Sequence, residues 1–315
     1  MLLVVLLVAG GTFWVKHNEI LDWAASRGYH PSSAVSKLAS DTTMTAYARQ
    51  LFYANRPDIE EKKQFNAHCT DPSEQVAVLG CFKGNRLGIH IYLVTDKRLD
   101  GIEQVTAAHE MLHQAYQRLD KAEKTRINGL LQEYHDLKAS KKMKDKIDSY
   151  KKTEPGELLN EMHSIFGTEA SDLPDELEAY YKQYFVNRKA VLTLHQKYQV
   201  EFDKRIAKIA EYDVRLTALK VRIDANKIEL KQREKDLERR RAQLDAYLAA
   251  NRIKEYNAAV PGFNASVVAY KNQVAETNDL VEEFNRLLAE RNALAIQERQ
   301  LEDAIDSSVK TAPKQ

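Results

Sequence analysis

Cysteine, glycine and proline are scarce: two, eleven and seven residues in a chain of 315. So little glycine and proline, beside 30% charged residues, excludes low-complexity or disordered sequence and favours helix. Neither sign of charge prevails. The formal net charge of +1 gives no electrostatic case for nucleic acid or an acidic substrate. Two cysteines permit at most one internal disulfide. Long apolar runs are also missing, except at the start, "MLLVVLLVAGGTFWV". That run is shorter than the ~20 residues of a spanning helix. No lysine or arginine precedes it and no small-residue cleavage site closes it. Residues 1–16 therefore read as a membrane anchor in preference to a cleaved signal peptide. Lys16 alone would place that flank in the cytoplasm. Cys69 and Cys81 outweigh it: a close, even pair after an export-like segment points to a disulfide and an oxidising compartment. The bulk of the chain is thus expected in the periplasm or outside the cell, anchored to the membrane.

Residues 17–42, ending in Ser, His and Pro, read as a linker. Two short helices broken near Pro57 follow, from Thr43 to about Phe65. Gln75–Phe82 and Leu87–Val94 read as strands, joined by the hairpin turn "KGNR". Ile89, Ile91 and Leu93 share one face. Asp100 and Glu103 resemble a capping box. The helix they open carries an apolar stripe of Val105, Ala108, Leu112, Ala115 and Leu119. A second helix covers Lys121 to Leu137. The lysine-rich stretch after it reads as solvated surface. A third helix, "PGELLNEMHSIF", is expected to stop at Gly167.

Beyond Pro174 glycine is absent until Gly262. Phe202, Ile209, Leu216, Ile223, Leu230, Leu237 and Leu244 recur every seven residues, as coiled-coil positions do. Pro261-Gly262 breaks the series, and Val260, Val267, Val274, Val281 and Leu288 form a second one. The pattern predicts an antiparallel helical hairpin over 191–308, the rival being a kinked helix that dimerises. A frayed tail occupies 309–315.

The chemistry concentrates in "VTAAHEMLHQAY". Residues four apart share a helix face, so His109 and His113 can bind one metal from the same side, and imidazole suits zinc. Glu110 is displaced around the helix from that pair. His68 and His90, beside the two cysteines, have poor spacing for a zinc finger, and no second metal site is expected.

"AAHEMLH" after a strand resembles the zincin metallopeptidases, over roughly residues 40–190 and specifically only at this helix. The resemblance implies that His109 and His113 bind zinc and that Glu110 is the general base. Metzincins need a further glycine and histidine, where this chain has Tyr116 and Leu119. "NEMHS" is similar to the later helix of gluzincins, the thermolysin-like branch, which makes Glu161 the third ligand. Glu157, His163 and His135 remain rivals. Gluzincins also use a downstream His or Tyr to stabilise the oxyanion, with Tyr180, Tyr181, Tyr184 and His163 as candidates here. Zincins bind an extended peptide along the edge strand before the metal helix, a use open to Leu87–Val94 here, although the sequence does not say which strand forms the edge.

The expected architecture is α+β. A small zincin-like domain at 43–190, with a short sheet and active-site helices, precedes the coiled-coil hairpin. The expected function is zinc-dependent hydrolysis of a protein or peptide substrate at a membrane surface, with no nucleic-acid partner. A protein partner for the coiled coil is also open. The alternative is an inert zincin-like domain in a membrane-anchored scaffold.

Overall fold

The computed structural model describes residues 17–69, 79–84 and 86–308. The expected anchor at 1–16, residues 75–78 of the first expected strand, and the tail at 309–315 lie outside them. Among the described residues no helix is long and apolar enough to cross a membrane. The chain forms two compact units. One runs to Glu201 and includes the described residues from Leu301; the other is Phe202–Gln300.

The first unit begins with helix α1, described over residues 17–26. Asp22 of α1 is buried and accepts hydrogen bonds from Arg86 and Arg118. In α2 (Ser33–Asp41) the Ser32 hydroxyl accepts from the Val35 N–H, and Val35, Leu38 and Ala39 enter the core. These helices replace the expected linker over 17–42. The apolar triplet fills a single turn, too short for its period to stand out between serines. Thr45 caps α3 (Ala46–Ala54). After Pro57 the chain forms strand β1 (Asp58–Glu60) and only then helix α4 (Lys62–His68), where a second helix alone was expected.

Strands β2 (Gly80–Phe82) and β3 (Ile89–Tyr92) complete a three-stranded sheet of order β1-β3-β2. The central β3 is parallel to β1 and antiparallel to β2, with Glu60 opposite Tyr92 and Cys81 opposite His90. Alternation then sorts the side chains. Ile89 and Ile91 are buried toward the main core. His90 and Tyr92 share the other face with Glu60 and Cys81, and Phe65 of α4 packs on Tyr92 there. Cys69, at the end of α4, forms the expected disulfide with Cys81. Closing a loop of that length contributes roughly 3 kcal/mol through the unfolded state.

Helix α5 (Ile102–Arg118) runs through the centre, against α2, α3, the sheet and α8 (Leu158–Glu169). Its burial extends nearly all round, well beyond the expected stripe. The expected capping box is not formed. Gly101 is the N-cap, while Asp100 accepts from Lys197 and Glu103 accepts from the Val94 N–H. Both carboxylates are engaged in tertiary contacts instead.

Helices α6 (Lys121–Leu137) and α7 (Lys141–Thr153) connect α5 to α8. The lysine-rich run is α7: Ile147 is buried and Met143 and Tyr150 pack on the core, so only its outer face is solvated surface. α8 continues through Gly167 instead of stopping there. A Cβ at Gly167 would lie 2.5 Å from Leu112 Cδ1, so the glycine permits α8 to approach α5. The carbonyls of Phe166, Gly167 and Ala170 accept hydrogen bonds from Arg188, which also pairs with Glu178 of α9 (Asp175–Tyr181). That guanidinium satisfies the end of α8 in place of a glycine cap.

The second unit consists of parts of α10 (Arg188–Ala249) and α11 (Ile253–Ile305). Tyr212 donates to Glu290, Arg291 to Asp213, and Gln273 to Glu229, so the two helices are antiparallel, as the heptads predict. The reversal is not at Pro261, which lies inside α11. It falls at Asn251, at φ 58°, where the Arg252 N–H donates to the Tyr247 carbonyl. This is a Schellman closure, and asparagine tolerates the left-handed conformation it needs. Proline removes one helical hydrogen bond and the packed helix continues through it. The core of this unit is Leu216, Leu219, Ile223, Leu280 and Leu287. Of the expected valine series, Val281 packs against this core from the side and Leu288 is exposed, while Leu280 and Leu287 are the buried members.

Candidate metal centre

Helix α5 places His109 and His113 one turn apart, their rings edge to face at 4.7 Å. α8 brings Glu161 opposite both. His109 Nε2 lies 3.6 Å from Glu161 Oε2, and His113 Nε2 lies 3.4 Å from Oε1. One ligand atom from each of the three residues falls within 4.8 Å of the others. Two ligands about 2.1 Å from one ion at the tetrahedral angle are about 3.4 Å apart, so the donor set matches the span of a small cation. Glu161 Oε2 is buried without a hydrogen-bond partner, which a cation would supply.

Electrostatics favour positive charge at this place. Burial opposes charge on Glu161, yet the His113 and His109 imidazoles outweigh it and hold its carboxyl at about 2. Burial likewise disfavours charged His109, and Glu161, with Glu110 and Glu169 behind it, reverses the balance and raises it. Glu110 is pushed up chiefly by burial, against the pull of His113 and His109.

The rival ligands are occupied elsewhere. Glu157 stands at the N-cap of α8 and accepts from Asn160. His135 pairs with Asp136. His163 is fully buried, its Nε2 against the Tyr180 hydroxyl, and burial with the nearby imidazoles lowers it to about 3. Tyr181 donates to the His163 carbonyl, and the Tyr180 and Tyr184 hydroxyls bond each other. The tyrosines expected as oxyanion candidates are therefore buried packing for α8.

Three further contributors have no role that the sequence assigns. Ser164 Oγ lies 3.2 Å from His113 Nδ1 and donates to the Asn160 carbonyl. The hydroxyl therefore accepts from Nδ1–H, which leaves the His113 Nε2 lone pair facing Glu161. Its place three residues after Glu161 was a usable signal. Ser164→Ala is expected to weaken metal affinity by about 10–100-fold. A competition titration with a zinc chelator measures this, and unchanged affinity would show that the serine does not orient the ring. Gly80 is the second. A Cβ there would meet Thr106 Cγ2 at 2.5 Å and Glu110 Oε1 at 2.7 Å. Glycine thus lets the edge strand β2 lie directly against Glu110. The third is a pair, Glu169 and His195, with Nε2 to Oε2 at 3.5 Å. Glu169 lies two turns after Glu161 on α8. Burial raises its carboxyl, but Lys146, His195 and His109 together lower it. Nothing in the sequence links His195, at the start of α10, to this place.

No protein-family model, curated protein or solved structure matches the chain.

Proposed function

We propose that this protein is a zinc metallopeptidase of gluzincin type. The observation that carries the reading is the convergence of His109, His113 and Glu161 at ligand spacing, with Glu110 beside them. The three would hold the ion, which when bound polarises a carbonyl and acidifies water. Glu110 takes the proton of the attacking water and delivers it to the leaving amine. His195, held by Glu169, is assigned the stabilisation of the developing oxyanion in place of the buried tyrosines. Strand β2, at the sheet edge and in contact with Glu110, is assigned the extended peptide by strand addition. The expected setting is extracytoplasmic and membrane-anchored through the N-terminal segment. Disulfide Cys69–Cys81 suits that compartment.

The second reading, an inert domain carried by a scaffold, draws on the length of α10 and α11, 62 and 53 residues. In it the hairpin binds a protein partner and does the work. The test is incubation of the zinc-loaded full-length chain with a mixed peptide library, read by mass spectrometry. Chelator-sensitive internal cleavage is the expected result. A zinc-loaded chain that cleaves no peptide would leave the scaffold reading standing.

A further inference from the structure

A second convergence of metal-binding side chains lies on the other face of the sheet. Glu60 ends β1, and its side chain is only 5% exposed. Its Oε1 sits 2.8 Å from His68 Nδ1 and 2.8 Å from His90 Nδ1. The two imidazoles stack at 4.3 Å with 23° between their planes. Three elements supply these groups. The β1–β3 register sets Glu60 opposite Tyr92, so His90 is its diagonal neighbour on the same face. His68 is the last residue of α4, and Cys69 after it is bonded to Cys81, which stands opposite His90. The disulfide thus fastens both rings over one carboxylate.

We propose that Glu60, His68 and His90 form a second site for a divalent transition-metal ion of the zinc class. Two imidazoles and one carboxylate favour such ions over magnesium or calcium, which prefer oxygen throughout. The His68 side chain is 49% exposed, which opens the site to solvent for entry and for a completing water ligand. The present separations are those of hydrogen bonds. An ion must part the donors by roughly 0.5 Å, toward the ligand spacing of a tetrahedral site. His68, at a helix end and half exposed, can supply that shift. The ion would staple α4 to β1 and β3, so its role is structural and independent of the peptidase reading. The sequence suggested only a malformed zinc finger at this place, because the cysteines attract attention. They are bonded to each other, and the acidic ligand comes from a strand that precedes them.

The test uses the tag-free full-length chain, stripped with chelator, reloaded with Zn²⁺ and desalted. Wild type is expected to retain two ions per chain. His68→Ala should retain one, and so should His90→Gln, with helical circular dichroism unchanged. His109→Ala/His113→Ala should also retain one, and that ion should disappear when His68→Ala is added. Reloading with Co²⁺ should give visible d–d absorption in the His109→Ala/His113→Ala chain that His68→Ala removes. A zinc count unaffected by both His68→Ala and His90→Gln overturns the proposal. A wild-type chain whose only ion depends on His109 and His113 also overturns it, and leaves the peptidase reading intact. One ion that depends on His68 and not on His109 supports the second site and sinks the first.

Discussion

Glu110→Gln is expected to cut peptide hydrolysis by about 10³-fold and to leave bound zinc unchanged. Glu110 is 5% exposed, and its carboxylate lies close against the bare backbone of Gly80, beside Thr106. Glutamine has the same shape, so the fit against the strand is kept while the proton acceptor is lost. In the proposed centre the ion would be held by His109, His113 and Glu161, so its affinity should not follow the change. The measurement is cleavage rate on the peptide library beside zinc content on the same sample. Undiminished cleavage would show that another group is the base. Zinc lost together with activity would mean that Glu110 is a ligand, contrary to its assignment. In a scaffold protein the substitution would alter neither hydrolysis nor function.

Glu161→Ala is expected to reduce zinc affinity by roughly 100-fold or more, since a ligand should matter at least as much as the groups that orient ligands. The argument is the charge and place of the carboxylate. It is buried and ionised down to about 2, and it is the anionic member of a set whose other two members are imidazoles. Without it, two neutral donors on one helix face remain, too few for a tetrahedral site. Zinc is best counted in a His68→Ala background, so that only this centre contributes. Glu157→Ala, at the solvent-facing start of the same helix, is the matched control and should keep its zinc. Equal affinity in Glu161→Ala and the control would move the third ligand elsewhere.

Some of this could be read from the sequence, and some could not. The His109–His113 pair was legible because both residues belong to one helix, whose period alone sets them on one side. Glu161 was legible only through its neighbours in "NEMHS". Glu161 lies forty-eight positions and two helices beyond His113, and no local period spans them. His163, two residues further on, differs in sequence terms only by residue type. Packing decides between them, turning one toward α5 and the other into a cluster of tyrosines. Apolar spacing announced a helical hairpin but misplaced its bend. Proline and glycine are strong local signals, whereas a left-handed asparagine is a weak one, and the seam between α10 and α11 outweighed the local signal.

What repeats within one element was readable from the order of residues alone. That includes the helix with His109, Glu110 and His113 and the heptads of α10 and α11, and the cysteine pair was legible from its closeness along the chain. Tertiary structure alone decided what several elements share. It set Gly80 beneath Glu110, put Ser164 behind His113, gave Glu169 to His195, and gathered Glu60, His68 and His90 over one disulfide. The physical reason is range. Backbone geometry correlates side chains over a few residues, while contacts between strand, loop and helix are selected by burial across the whole unit.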